Sequence, residues 1–303
     1  MGVDEEEQQV LANILNCRIG QMPMKYLGFP ISDRSLGVQV FKDMVEKMRK
    51  KLQPWKGKHL SSGGRLILTN SSLSSMPTYL MGMFKLQKGV HKKMDTIRSQ
   101  FFWRGDYDKF KYHMINWENV CLPKDFGGAG IVNTRTLNDA FLVKWARLYR
   151  DEEDDICCQF LRAKYLRNKP FLLCKGTRGS HFWKGITKVK YLLNWGAIFT
   201  VNCGDKVRFW EDTWILNTPL KTAFPALYRI YSNKSCLVKD CYKEEGWSVL
   251  FRRSFGHVEV QQWEELLGVL EEKQLTNEKD TVYWALEKSG HYTTRSLYKF
   301  FIT

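Results

Sequence analysis

The chain has 303 residues, of which 44% are hydrophobic and 14% aromatic, with 11 Trp and 8 Pro; that composition belongs to a packed protein of roughly two domains and not to a disordered one. Its formal net charge is +15, which points to a polyanionic partner. No run approaches the ~18 uncharged apolar residues of a membrane span, and the opening MGVDEEEQQV is acidic where a signal peptide is basic and then apolar, so an intracellular chain of nucleus or cytoplasm, with no membrane partner, is expected.

Taken in chain order, the first apolar stretch is KYLGFPIS, residues 25–32, in which Gly28 and Pro30 interrupt Tyr26, Leu27, Phe29 and Ile31. That pattern predicts a short strand that is kinked or lies at an edge. In FKDMVEKMRKKL, Phe41, Met44, Val45, Met48 and Leu52 recur at helical spacing and leave Lys42, Lys47, Arg49 and Lys50 outside. Pro54 ends that helix, and Ser61 or Ser62 is placed to cap the next, whose first amides could hold a phosphate. The turn between them interleaves Trp55 with Lys56, Lys58, His59 and Arg65. Trp55 reads more readily as a core anchor than as a base-stacking platform. A third basic helix is predicted over Val90 to Trp103, with Val90, Met94, Ile97 and Phe101 on one face and Lys92, Lys93 and Arg98 elsewhere.

Between residues 41 and 100 there are thirteen basic residues against three acidic ones, so +10 of the surplus lies in one fifth of the chain. A charge run is usually just a solvated face. Here the helical spacing gives the charge a side, which is what a phosphate-facing surface requires. The nucleic-acid-binding candidates are therefore Lys47, Arg49, Lys50, Lys51, Trp55, Lys56, Lys58, Arg65, Lys92, Lys93 and Arg98.

Beyond a glycine-rich turn at Gly127, Gly128 and Gly130, the acidic run 151–155 reads as an exposed helix start ahead of ICCQFL. Ser180 and His181 are adjacent in sequence without the scaffold of a nucleophile and its base. AIFTVNCGDKVRFW is read as a hairpin turning at Cys203 to Asp205, TVYWALEKSGHYTT as another turning at Lys288 to Gly290, and VEVQQWEELLGVLEEKQL between them as an amphipathic helix. Trp103, Trp183, Trp210 and Trp214 are expected in the core. The eight cysteines contain no Cys-x-x-Cys pair, and Cys236, Cys241 and His257 match no zinc spacing, so neither a metal nor any other cofactor is expected.

The phrases MPMKYLGFPIS, LQPWKGKHLSSGGRLILTNSSLSSMPTYLMGMFKL, IRSQFFWRG, INWENVCLPKDFGGAGI and LNDAFLVKWARLY, followed by GSHFWKGI, NCGDKVRFWEDTWI and DTVYWALEKSGHYTTRSLY, occur in an order that resembles plant non-LTR (LINE-type) retrotransposon reverse transcriptases. The likeness runs from the thumb region into the segment downstream of it. By that resemblance Tyr26, Leu27 and Gly28 match the primer-grip hairpin, and Trp55, Leu60, Ser61, Gly64 and Arg65 match the thumb motif. Gly63 stands where the family more often has alanine. The aromatic-x-Asp-Asp turn that holds two catalytic metal ions in such polymerases is absent, since the lone Asp-Asp pair, Asp154 and Asp155, follows Glu152 and Glu153.

The resemblance implies a middle slice of a polyprotein, with endonuclease and palm before it and zinc-binding and ribonuclease H segments after it. The expected fold is α+β and predominantly helical: a primer-grip-like palm remnant over 1–35, a basic helical thumb-like domain over 36–125, and a mixed domain of helices and β-hairpins over 126–303. The expected function is non-catalytic holding of an RNA–DNA hybrid or a DNA or RNA duplex by its phosphates, with other parts of the parent polyprotein as further partners. The competing expectations are one piece of an active reverse transcriptase and a folded relic with no specific activity.

Overall fold

Short polar side chains set the helix starts along the chain. Asp4, Ser61, Asn133, Asp155, Ser180 and Thr293 each accept a hydrogen bond from an amide two or three residues on, satisfying donors that the first helical turn leaves open. The computed structural model describes residues 4–22, 24–26, 28–32, 41–53, 59–104, 114–151, 155–167, 169–174, 176, 179–243 and 246–303. The protein is α+β and predominantly helical, as expected. It divides into two units, Met1–Leu80 with Leu86–Met114, and Met81–Lys85 with Ile115–Thr303.

The first unit contains α1 (Glu5–Ile14), β1 (Met24–Tyr26), β2 (Phe29–Ile31), α2 (Lys42–Leu52), α3 (Ser62–Leu68), the single turn α4 (Thr78–Met81), which ends at the border of the unit, and α5 (Lys88–Arg104). KYLGFPIS forms two strands and not the single strand expected: Tyr26 pairs with Phe29 across a tight antiparallel turn. Gly28 makes the turn possible, because its φ of 82° lies in the left-handed region that a side chain disfavours. Phe29 packs against Tyr79 in a tilted ring pair, with centroids 4.0 Å apart. The core of the unit joins the apolar stripe of α2 (Met44, Val45, Met48, Leu52) and Phe41 before it to Val90, Met94, Ile97 and Phe101 of α5. At about 1.5–3 kcal/mol for each large buried side chain, this stripe is what holds an otherwise highly charged helix in place. Between α3 and α4 the helix widens into a π-turn, Thr69–Leu73, where Ser74 returns its hydroxyl to the Thr69 carbonyl at 2.8 Å.

The second unit contains α6 (Trp117–Val120), α7 (Thr134–Arg150), α8 (Ile156–Tyr165), α9 (His181–Val189), β3 (Ala197–Thr200), α10 (Leu220–Ala223), α11 (Pro225–Ile230), β4 (Tyr242–Lys243), β5 (Gly246–Trp247), α12 (His257–Glu271), β6 (Thr281–Trp284) and α13 (Thr294–Ile302). Helix α7 is its spine, packed against α9 and α13. The fully buried Asn138 of α7 donates to the carbonyls of Met81 at 2.7 Å and Phe84 at 2.8 Å, and Trp145 donates to Gly82 at 2.9 Å, which fastens segment 81–85 to this unit. Trp183, Trp210 and Trp214 are buried core anchors, whereas Trp103 of the first unit is half-buried.

The two expected hairpins are replaced by one long-range pairing. β3 and β6 are antiparallel partners, with Ala197 opposite Trp284 and Thr200 opposite Thr281. After β3 the chain does not return on itself; Asp280 reaches across and accepts from the amides of Asn202 at 2.8 Å and Gly204 at 2.9 Å. After β6 there is a turn at Gly290, whose carbonyl accepts from Trp284, but it leads into α13 and not into a strand. β4 and β5 form a small hairpin of their own.

Candidate nucleic-acid interface

The basic helices keep their apolar stripe inward and so expose Lys47, Arg49, Lys50 and Lys51 on α2 and Lys92 and Lys93 on α5. At about 100° per residue the four cations of α2 cover roughly 200° of its circumference, with Lys50 opposite the core, Lys47 and Lys51 on one flank and Arg49 on the other. The single positive side that the spacing suggested is therefore a cationic arc. Convergence occurs on the flank facing α5, where Lys42, Arg49 and Lys93 line a cleft of about 300 Å³ with Phe41, Val45 and Val90 beneath them. Lys42 was not among the site candidates although its outward position was legible in the spacing. Glu46 shares the cleft and pairs with Arg49 at 2.5 Å, with both side chains half-exposed. No ion pair engages Lys42, Lys47, Lys50, Lys51, Lys92 or Lys93 among the described residues.

Two expected phosphate contacts are corrected. Arg98 is fully buried, ion-paired with Asp95 and donating to Ser74 at 3.0 Å, so it braces α5 against the π-turn and has no free face for a phosphate. Its position four residues after Met94 already put it inside the apolar stripe. Arg65 is half-buried and donates to the carbonyls of Phe102 at 2.8 Å and Leu60 at 3.0 Å, tying α3 to α5. Ser61 accepts from the Gly64 amide at 3.1 Å, which occupies one of the donors proposed for a phosphate. Trp55, Lys56 and Lys58 lie outside the described residues, as does Leu27 of the primer-grip match. Tyr26 is 60% exposed at the hairpin, beside the turn at Gly28.

Carboxylates capable of metal chemistry are sparse. Both oxygens of Asp151 are taken, by Arg147 at 3.2 Å and Arg150 at 2.6 Å, and Asp155 caps α8; residues 152–154 lie outside the described residues. Among the described residues one group could hold a cation, Cys203, Asp205 and Asp280, with ligand atoms within 4.8 Å of one another. Part of the group already serves the loop, since Cys203 donates to Asp205 at 3.2 Å and one oxygen of Asp280, Oδ1, accepts two amides, while its buried Oδ2 has no hydrogen-bond partner among the described residues. Cys236 and Cys241 are buried with sulfurs 3.4 Å apart and share the Tyr231 hydroxyl, while His257 is exposed at the start of α12. Ser180 caps α9 by accepting from the Trp183 amide at 3.2 Å, a structural role and not a nucleophile's.

No protein-family model matches the chain. It is 26% identical over 276 residues, 89% of its own length, to an Arabidopsis thaliana protein named "Putative ribonuclease H protein", and spans 44% of that relative. It is 30% identical over 149 residues, 48% of its own length, to an uncharacterized mitochondrial protein of Arabidopsis thaliana, and there it covers 97% of the relative. The chain belongs to the family of that mitochondrial protein. Relatives of these two kinds are typical of retrotransposon-derived reading frames. Among the described residues, what this family member offers chemically in its first unit is a set of exposed ammonium and guanidinium groups on rigid helices, suited to binding phosphates by charge.

Proposed function

We propose that this retrotransposon-derived chain holds a nucleic-acid duplex, an RNA–DNA hybrid or DNA, through the phosphates that meet α2 and α5, in the manner of a reverse-transcriptase thumb and without polymerase activity of its own. The observation that carries the reading is the convergence of Lys42, Arg49 and Lys93 on one cleft, with Lys47, Lys50, Lys51 and Lys92 exposed nearby on the same helices. The resemblance of the ordered phrases to the LINE-type thumb supports it, as does the lack of an aromatic-x-Asp-Asp turn in the sequence.

If about six phosphates are neutralised on duplex DNA, log affinity falls against log salt with a slope near −5. Electrophoretic mobility shift or fluorescence anisotropy over a salt series measures it. Absence of binding at about 50 mM salt, or affinity indifferent to salt, sinks the proposal. Reversal of Lys47, Lys50, Lys51 and Lys58 to Glu should abolish binding while circular dichroism keeps its helical amplitude. A primer-extension assay should show no nucleotide incorporation, and incorporation would place a catalytic centre in this chain. The second reading, a folded relic, is favoured by the spread of the α2 cations around the helix, because a cationic arc arises without selection for one ligand.

A further inference from the structure

A cavity of about 470 Å³ opens in the second unit where the end of α7, the body of α8, the segment after it and the loop after β3 meet. That volume falls within the roughly 300–1,000 Å³ of ordinary small-ligand sites. Among the described residues its wall carries four cations, Arg150, Arg162, Lys169 and Lys206, against one carboxylate, Asp205. The apolar part of the wall comes from Ala163, Leu166, Pro170, Phe171 and Leu172.

Two of the cations are incompletely satisfied by the protein. The Arg150 side chain is only 6% exposed; its Nε is bonded to Asp151 at 2.6 Å, yet its buried Nη1 has no hydrogen-bond partner among the described residues. Arg162 donates through Nη2 to the Leu148 carbonyl at 3.2 Å, and its buried Nε likewise has no partner among the described residues. Buried charged donors left unmet are costly and therefore uncommon. An anion is the ligand that meets such donors best, and guanidinium groups are suited to phosphate oxygens. Behind the wall, Lys190 lies 5.7 Å from the centre of the Phe171 ring and donates to the Leu172 carbonyl at 2.6 Å, adding to the positive potential of the site.

We propose that this cavity binds a phosphate monoester joined to a flat ring, that is, a mononucleotide or the 5′-phosphorylated end of a single strand, with the phosphate on Arg150, Arg162 and Lys206 and the ring against Phe171 and Leu172. Lys169 lines the cavity and is exposed to solvent. The site is distinct from the duplex-facing helices, because all of its lining residues come from the second unit.

Isothermal titration of the full chain with AMP, adenosine and inorganic phosphate tests it. AMP is expected to bind at least ten-fold more tightly than adenosine, and Arg162→Gln to weaken AMP about ten-fold or more by removing a charge-assisted contact. Arg150 is too deeply set to be a safe target, so Lys169→Glu on the exposed rim is the second variant, with its thermal midpoint recorded to show that it folds. Competition by 5′-phosphorylated but not 5′-hydroxyl oligo(dT) identifies the ligand as a strand end, and AMP binding without such competition identifies a free nucleotide; both support the site. AMP and adenosine binding alike, no binding of AMP at millimolar concentration, or AMP affinity unchanged in both Arg162→Gln and Lys169→Glu overturns it.

Discussion

In the first unit Lys47, Arg49, Lys50, Lys51, Lys92 and Lys93 of α2 and α5 stand in water, whereas in the second unit Arg150 is buried and Arg162, Lys190 and Arg208 are partly buried. Arg208 illustrates the difference. It binds the buried carboxylate of Asp212 with a 2.5 Å contact and adds a bond to Asn194 at 3.0 Å, so its charge organises the loop 208–214. Lys190 is held by the carbonyls of Phe171, Leu172 and Cys174, with no carboxylate partner among the described residues. Arg98, which is buried, and Arg65, which donates to backbone carbonyls, show that the first unit also contains inward cations. Formal charge therefore measures composition; exposed and unpaired charge is what a polyanion meets, and the two differ residue by residue.

The sharpest way to break this contrast is Asp212→Ala, which leaves Arg208 without its partner in a mostly buried site. A loss of about 3–5 kcal/mol is expected in urea unfolding, against no more than about 0.5 kcal/mol for Lys50→Glu on the outer face of α2. Equal losses in the two variants would erase the distinction between structural and exposed cations. Next in size is Asn138→Ala, which removes two hydrogen bonds from a buried amide and should cost about 1–3 kcal/mol by the same measurement.

A pH series sharpens the comparison further. Burial, with Arg208 adding to it and Cys174 opposing, pushes Lys190 down from 10.5 to about 8. The unfolded chain keeps that proton up to the ordinary value, so it binds more protons than the folded chain between about pH 8 and 10.5, and the Lys190 contribution to stability rises across that window. Lys190→Met should flatten the rise, seen as a smaller gain in urea midpoint between pH 7.5 and 9.5 than in the parent. A small gain is expected at Gly63 on α3, where an added Cβ meets nothing nearer than the Ser61 hydroxyl at 3.9 Å. Gly63→Ala should raise stability by about 0.5–1 kcal/mol, and a loss would show that this helix start needs glycine.

The local layers of the fold were legible in the sequence. Helical periodicity placed α2, α5 and α12 to within a few residues, and Ser61 was readable as a cap. The sheet was not legible, because alternation in AIFT and TVYW announces strands without naming their partners. Arg98 differs for another reason: an arginine inside an apolar stripe looks like a surface cation by residue type, but it is buried when an acid and a hydroxyl lie nearby, here Asp95 and Ser74. The anionic-ligand cavity was invisible at the sequence level since Arg150, Arg162, Lys169 and Lys206 share no spacing and meet only when α7, α8 and the β3 loop are folded.

The partnership of β3 with β6 has a temporal consequence for synthesis. Residue 197 waits for residue 284 to leave the ribosome before its strand is paired, and α7 waits longer for α13, whose Tyr298 hydroxyl receives the Asn133 amide at 2.9 Å. Helical contacts close early and locally, but this sheet closes late. Nascent chains halted before residue 281 should consequently carry the β3 edge and the floor of the second core uncovered, and be the species that chaperones and proteases engage.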